Sequence, residues 1–200
     1  MKRHIHQFMR ARDAKFAVID FESTGVVRGL REEPWQVGIV HITDGAVDEK
    51  NFFASLLRIG ARKFNPYAPG RHEELRAELA VAPTLSEMWP HWSSYLEGRI
   101  LVAHNAGTEK KFLRQAAPMH AWKMGIDTLQ LTRCVWPNLP SYTLGDICEY
   151  LGIIGKIRAR CPNAAWHDAL FDAFACATLL EEILRLPDWG GLTLEALQNT

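Results

Sequence analysis

Apolar residues along the chain cluster into short runs of β-strand length, separated by turn residues. Residues 16–21 form a near-continuous apolar run, which is typical of a buried central strand. Similar patterns predict further strands over residues 35–42, 49–57, 99–103 and 124–126. Asp44 and Gly45 form a turn-favouring pair between the second and third of these runs, which predicts a hairpin there.

Other segments show apolar residues at helical spacing. They are residues 71–80, a segment opened by the capping-box pattern of residues 84–87, a segment beginning near residue 108, and residues 127–135, 143–151 and 168–186. Strands come first in hairpin order and then alternate with helices, which predicts an α/β domain with a mixed sheet. We expect residues 1–15 to form a flexible basic leader and residues 16–200 a single domain.

Composition narrows the class of protein. The chain has 48% hydrophobic residues, a formal net charge of zero and a pI of about 7.1. A nucleic-acid enzyme with this balance would depend on a local basic patch and bound metal rather than on bulk charge. The four cysteines are widely spaced, which favours reduced thiols in a cytoplasmic protein, and no stretch has the roughly 20 apolar residues that a membrane span needs.

Two acids, Asp20 and Glu22, lie at the end of the first apolar run. In a strand their side chains project to the same face, so the two carboxylates repel each other unless a cation lies between them. Hard divalent ions such as Mg²⁺ or Mn²⁺ prefer oxygen ligands and supply that charge. Taken alone, the pair also fits an ordinary strand end with two solvated acids.

Two further acidic segments fall where this architecture could bring them towards the first. Glu109 lies in the first turn of a predicted helix, just after Thr108 as the expected N-cap. Asp168 is predicted to cap another helix, which presents Asp172 within its first turns. Each acid taken singly is also explained by the favourable field at a helix N-terminus.

Together these segments resemble the DnaQ-like DEDDh 3′–5′ exonucleases, the family of bacterial proofreading subunits, RNase T and oligoribonuclease. The resemblance runs over residues 16–184 and rests on D-F-E-S-T-G, L-V-A-H-N-A…F-L and H-D-A-L-F-D-A, in that order. Residues 127–132 and 139–144 resemble the connecting segments of the family. The resemblance implies an RNase H-like mixed β-sheet flanked by helices and a two-metal hydrolysis of phosphodiesters.

The resemblance also implies a role for each site residue. Asp20 would contact both divalent metal ions, Mg or Mn, and Glu22 and Asp172 would complete the site of the ion that activates water. Glu109 would hold the second ion through the water shell of that ion. His167 would be the general base, since imidazole titrates near neutral pH.

The chain departs from the family pattern at two places. Glu109 stands where the family has aspartate, and its longer arm favours Mn²⁺ over strictly octahedral Mg²⁺. The alternative is that Glu109 is only a first-turn acid. Residues 70–75 replace the family's His-Gly-Ile stretch, so substrate contacts cannot be transferred there, and Lys110 and Lys111 fit solvated helix charges better than a phosphate-facing pair.

The sequence therefore predicts a metal-dependent 3′–5′ exonuclease that removes nucleoside monophosphates from the 3′ ends of single-stranded DNA. The residues expected to contact the terminal nucleotide are Ser23, Thr24, Gly25, Val26, His104 and Asn105. An exoribonuclease of the same family remains open, because only contacts to the 2′-hydroxyl would distinguish it. A non-catalytic nucleic-acid-binding module also remains open, as does a polymerase or other nucleic-acid-processing partner.

Overall fold

The computed structural model describes residues 9–200, which contain a five-stranded mixed sheet. Its strands are β1 (Phe16–Ser23), β2 (Pro34–Thr43), β3 (Ala46–Leu56), β4 (Ile100–Ala103) and β5 (Ile126–Asp127). The spatial order is β3-β2-β1-β4-β5, with β1, β2 and β3 antiparallel and β4 and β5 added in parallel. The predicted mixed sheet is confirmed, as is the hairpin turn at Asp44 and Gly45, whose φ angles are 52° and 71°.

Helices flank this sheet. They are α1 (Arg76–Val81), α2 (Leu85–Leu96), α3 (Gly107–Ala116), α4 (Thr128–Val135), α5 (Leu144–Tyr150), α6 (Ile154–Arg160), α7 (Ala169–Arg185), α8 (Pro187–Gly190) and α9 (Leu194–Gln198). Helices α6, α8 and α9, which are seven residues long or shorter, were not predicted from the sequence. Helix α1 begins later than predicted, because residues 71–75 form turns before it.

The start of α3 corrects another expectation. Thr108 is the second residue of the helix rather than its N-cap, and the flanking Ala106 has no side chain that could cap it. Instead, the carboxylate of Asp127 accepts hydrogen bonds from the backbone N–H groups of Asn105 (2.9 Å) and Ala106 (3.0 Å). An acid from the end of β5 thus fixes the turn that leads into α3.

Strand β1 contributes alternate residues to two cores. Phe16 and Val18 belong to the core that includes α7, whereas Ala17, Ile19 and Phe21 belong to the core that includes α2 and α3. This alternation is the two-residue period of a strand. The two acids of β1 occupy even-numbered positions as well, so their side chains project towards the α7 face.

Helix α7 lies directly on the sheet because β2 has a glycine beneath its first turn. A Cβ at Gly38 would lie 2.3 Å from the carbonyl oxygen of Ala169 and 2.6 Å from the Cα of Leu170. Gly38 is also the cross-strand partner of Asp20. This backbone contact therefore places the first turn of α7 beside the acidic end of β1.

The predicted flexible leader needs a correction at its C-terminal part. Ala11 and Ala14 are buried, and the backbone N–H of Ala11 donates to the carbonyl oxygen of Leu192 (2.8 Å). Arg10 forms an isolated β-bridge with Thr193. Residues 9–15 are thus packed against the end of the domain, while residues 1–8 of the predicted leader lie outside the described residues.

The structure also describes the state of the cysteines and the character of the helices. The four cysteines, one exposed and three buried, are free thiols. Within residues 9–200, no helix combines the length and apolar character needed to cross a membrane.

Candidate active site

The first turn of α7 is fastened to β2 by a pair of side chains. The carboxylate of Asp168 accepts from the backbone N–H groups of Leu170 (3.0 Å) and Phe171 (3.4 Å), which confirms it as the N-cap of α7. Gln36 donates its Nε2 to Asp168 (3.0 Å), and its Oε1 accepts from the backbone N–H of Ala169 (3.2 Å). The start of the helix is therefore held by hydrogen bonds in addition to the glycine contact.

Gln36 is also the cross-strand partner of Glu22. The same position on β2 thus faces the acidic end of β1 and holds the segment that carries His167 and Asp172. As a result, one potential ligand atom from each of Glu22, His167 and Asp172 lies within 4.8 Å of the other two. Two carboxylates and an imidazole at this spacing can hold a metal ion.

His167 occupies an unusual backbone conformation. Its φ is 66°, in the left-handed region that side-chain-bearing residues rarely adopt, and its side chain is exposed. Its backbone N–H donates to Oδ2 of Asp172 (3.2 Å), so the strained turn is stabilised by the acid itself. The imidazole is thereby kept next to the carboxylates with access to solvent.

Four predicted site carboxylates form one electrostatic cluster. Burial raises the pKa of Asp20 well above its ordinary value, and nearby carboxylates raise it further. Those carboxylates include, in decreasing order of effect, Asp172, Glu109 and Glu22. Burial is also the main reason that the pKa of Glu22 and that of Glu109 rise to about 8, and that of Asp172 to about 7. The fold thus brings together all four acids that the sequence analysis singled out.

The surroundings of two carboxylate oxygens in this cluster indicate whether the site suits a cation. Oε2 of Glu109 and Oδ1 of Asp172 are buried and accept no hydrogen bond from any of residues 9–200. A buried carboxylate oxygen without a partner is costly, and within the described part of the chain no cationic side chain contributes to these pKa shifts. Carboxylate oxygens with excess negative charge fit a hard divalent cation, so the acids present suit such an ion.

Glu109 differs from an ordinary first-turn acid. It is the third residue of α3 and only 4% exposed. A solvated acid that merely complements the helix dipole would not be buried against other carboxylates. Its position therefore favours the interpretation that it replaces the aspartate expected from the family pattern, and its role stays a prediction.

The residues after Glu22 form a tight turn. The hydroxyl of Ser23 accepts from the backbone N–H of Gly25 (3.2 Å), and Gly25 has a φ of 66°. A Cβ at Gly25 would lie 2.8 Å from the Cβ of Asn65, so this position requires glycine. The Thr24 side chain is fully buried, whereas Val26 is 76% exposed. Of these predicted nucleotide contacts, Val26 has a side chain that is mostly free to meet a ligand.

His104 and Asn105 occupy the turn between β4 and α3. Nδ1 of His104 hydrogen-bonds with the hydroxyl of Thr128 (3.0 Å), and Nε2 with the carbonyl oxygen of Tyr142 (3.1 Å). Both ring nitrogens are thus engaged within the protein, and burial lowers the pKa of this imidazole. Asn105 is exposed and has a φ of 60°. Contact of either residue with a nucleotide remains a prediction.

A set of side-chain contacts next to the site, between Lys111, Glu32 and Ser23, was not predicted from the sequence. Lys111, expected to be a solvated helix charge, forms an ion pair with Glu32 (2.5 Å), and Glu32 also accepts from the hydroxyl of Ser23. Residues 24–33 connect two antiparallel strands that are paired as far as Ser23 and Pro34. In a hairpin the two ends of the connecting loop lie next to each other. The predicted hairpin order of β1 and β2 was therefore the signal that could have placed Glu32 near Ser23.

A cleft opens beside the carboxylates. His167 and Asp172 line it, together with Trp166 and Arg158, and its volume is about 610 Å³. Cavities of roughly 300–1,000 Å³ are typical of small-molecule sites. The cleft is therefore large enough for a nucleotide unit.

A mixed sheet with buried acids at the end of its central strand, and with a helix supplying a further acid and a histidine, defines an RNase H-like nuclease domain. A sequence model of the family described as "Exonuclease" matches residues 17–180. The chain belongs to this family. The resemblance seen in the sequence is thus confirmed.

Individual relatives agree with this assignment. The chain is 28% identical to the DNA polymerase III subunit epsilon of Aquifex aeolicus over 179 residues, or 86% of this chain and 83% of that protein. The nuclease domain of 3′hExo, a DEDDh family member bound to rAMP, has a TM-score of 0.68 at 14% identity, covering 88% of this chain and 94% of that one. Escherichia coli exonuclease I in complex with a dT13 oligonucleotide has a TM-score of 0.64 at 14% identity, covering 88% and 42%.

The chain spans much less of other relatives. It covers 25% of the length of the first curated relative and 13% of each of the next two. Those proteins therefore contain large regions with no counterpart in the matched segment.

Proposed function

We propose that this protein is a metal-dependent 3′–5′ exonuclease that hydrolyses phosphodiester bonds at the 3′ ends of single-stranded DNA and releases nucleoside monophosphates. The observation that carries this proposal is the cluster of four buried or half-buried carboxylates, in which two oxygens accept no hydrogen bond from the described residues. Such a cluster is destabilising without a cation, and a nuclease of this family needs divalent ions at this position.

The carboxylates would hold the ions. Asp20, whose pKa the other three acids raise, would contact both ions. Glu22 and Asp172 would complete the site of one ion, and Glu109 would hold the other. Bound Mg²⁺ or Mn²⁺ would supply Lewis acidity for the attacking and leaving oxygens of an in-line displacement. The protein keeps these ligands in place through the glycine contact of Gly38 and the hydrogen bonds that fix the start of α7.

His167 would take the proton of the attacking water. Its ring is exposed, and one nitrogen lies within 4.8 Å of carboxylate oxygens of Glu22 and Asp172. The unprotonated nitrogen of a neutral imidazole can accept a proton from water. The same distance would also allow direct metal ligation, and calorimetric Mn²⁺ binding by a His167→Ala variant separates the two roles.

The names of relatives and of solved structures bear on whether the substrate is DNA or RNA. The relative named DNA polymerase III subunit epsilon and the exonuclease I complex with an oligonucleotide favour DNA. The 3′hExo domain was solved with rAMP, which keeps an RNA-directed activity as the second candidate. A polymerase or another nucleic-acid-processing protein is the partner that the epsilon relative suggests.

The test is a cleavage assay with 5′-labelled single-stranded DNA and RNA of one sequence, each with Mg²⁺ and with Mn²⁺. We expect a ladder that shortens from the 3′ end, nucleoside monophosphates as products, and no cleavage in EDTA. An oligonucleotide with a blocked 3′ end is the control. Binding without any cleavage in either metal would favour a non-catalytic nucleic-acid-binding module and would overturn the proposal.

A further inference from the structure

One carboxylate outside the acidic cluster is held by two donors. Oε1 of Glu32 accepts from the hydroxyl of Ser23 (2.5 Å), and Oε2 accepts from Nζ of Lys111 (2.5 Å). These contacts lower the pKa of Glu32 in spite of its partial burial. Glu32 therefore carries its charge at neutral pH, and its two oxygens fill the space between a hydroxyl and an ammonium group.

The segment that carries Glu32 is fastened at its base. The backbone N–H of Glu33 donates to the hydroxyl of Thr24 (3.1 Å), and the carbonyl oxygen of Glu33 accepts from the backbone N–H of Thr24 (2.9 Å). Arg62 pairs with the Glu33 carboxylate (3.3 Å). These contacts do not involve the side chain of Glu32, so that side chain can leave its donors without opening the base of the loop.

The position of these donors matters because Ser23 directly follows Glu22 in β1. Lys111 in turn follows Glu109 by two residues in α3, so both donors lie on elements that also carry acids of the cluster. Lys111 remains 43% exposed while Glu32 is 18% exposed. A nucleic acid strand approaching a chain of zero net charge and a cluster of acids requires local donors for its phosphates. Hydroxyl and ammonium groups are common phosphate ligands, and a phosphate offers paired oxygens much as a carboxylate does.

We propose that Ser23 and Lys111 form a phosphate subsite that Glu32 occupies in the free protein and leaves when a single-stranded nucleic acid binds. This inference rests on the proposed function, since it concerns the same substrate. Glu32 would act as an internal competitor that reduces affinity for strands unable to reach both donors. The competing explanation is that Glu32 is only a structural tie between the loop and α3.

The test compares Glu32→Gln, Lys111→Met and the double variant with the parent. Binding of 5′-fluorescein-labelled oligothymidylate is followed by fluorescence anisotropy with Ca²⁺ in place of the activating metal, and gels check that the strand stays intact. Glu182→Gln is the matched control. Glu182 pairs with Lys156 (2.7 Å) and with Arg185 (2.8 Å), so, like Glu32, it has two donors. The exposed fractions, 24% for Glu182 and 48% for Lys156, are close to those of the Glu32–Lys111 pair.

We expect Glu32→Gln to tighten binding about three- to tenfold, and Glu182→Gln to change it less than about twofold, as for a solvated ion pair. The gain should disappear in the double variant, because the released Lys111 is its source. We also expect the slope of log K against log[salt] to be steeper for Glu32→Gln than for the parent by about 0.7. This is the value for one further phosphate contact on a single strand.

Other results would overturn the inference. Weaker binding together with a lower melting temperature in Glu32→Gln would make Glu32 a structural tie. A gain that persists in the double variant would show a general charge effect without a subsite at Lys111. A parent that neither binds nor degrades the strand would overturn the proposed function and this inference with it, whereas a parent that does both leaves the subsite as the only issue under test.

Discussion

Replacing Glu109 by glutamine separates the two explanations of this residue by the sign of a stability change. If Glu109 is a solvated acid near a helix N-terminus, its loss should lower the free energy of unfolding by about 0.3–1 kcal/mol. If it is a buried member of the acidic cluster, its loss should instead stabilise the metal-free protein. Burial raises its pKa from 4.5 to about 8, so the ionised form is disfavoured in the folded state.

The magnitude and the pH window follow from that shift. At about 1.36 kcal/mol per pH unit, the upper limit of the penalty is about 5 kcal/mol. Because the folded pKa is raised, the penalty is small below about pH 4.5 and grows as the pH rises to 8. Water entry and relaxation reduce it, so we expect Glu109→Gln to gain about 2–4 kcal/mol at pH 8 and less than about 1 kcal/mol at pH 5.

The assay is thermal unfolding in EDTA at pH 5 and pH 8, followed by the same measurement with Mn²⁺. For a chain of this size the gain at pH 8 corresponds to roughly 5–15 °C in melting temperature. Glu78→Gln is the matched control, since Glu78 is also the third residue of its helix, α1, but is exposed. We expect it to lose at most about 1 kcal/mol, with no gain at pH 8.

Activity gives the second half of this test. Glu109→Gln should lose most cleavage and part of the stabilisation by Mn²⁺, because an amide keeps the size of the side chain without its charge. Glu109→Asp should retain or gain activity, since aspartate is the residue expected from the family pattern. The reasoning is refuted if Glu109→Gln is less stable than the parent at pH 8 in EDTA, or if it cleaves as fast as the parent in both Mg²⁺ and Mn²⁺.

The remaining predictions concern the other side of the site. Asp20→Ala and Asp172→Ala should each abolish cleavage while the purified proteins melt at or above the parent temperature in EDTA at pH 8; near-parent turnover in either would exclude the two-metal assignment. His167→Ala should lower turnover about 10²–10⁴-fold and keep Mn²⁺ binding by calorimetry, whereas loss of binding would make the imidazole a ligand. Gln36→Leu should lower the free energy of unfolding by about 1–3 kcal/mol and also reduce turnover, because it frees the start of α7; an unchanged turnover would show that Gln36 does not position the site.

The sheet was predictable because its signals are local and periodic, whereas the four acids were singled out as a site by their resemblance to the ordered motifs of a known family. The alternation along β1 put Asp20 and Glu22 on one face, and the structure confirms that this is the face of α7. The N-cap role of Asp168 was also local, since the acid precedes an apolar helical run. The short helices were missed because seven residues or fewer hold too little of the helical period to be recognised. The start of α3 was missed because a distant residue, Asp127, decides where the helix begins.

The environment of each acid could not be predicted from the sequence. Burial of Glu109, the unpartnered oxygens and the mutual effect of the carboxylates on their pKa values arise only when β1, α3 and α7 are packed together. The Lys111–Glu32 pair joins residues 79 positions apart, and no periodic pattern marks such a contact. Tertiary structure thus supplies the electrostatics, while local sequence supplies the elements.

The contact at Gly38 has a consequence for any attempt to rebuild this centre elsewhere. The distance between the acid of β1 and the acid of α7 depends on two backbones touching at a place where no side chain exists. A scaffold given all four carboxylates and the histidine, but with alanine at the equivalent of Gly38, would hold its helix further from the sheet. Transplanting the centre therefore requires a glycine at this position of the sheet in addition to the reactive groups.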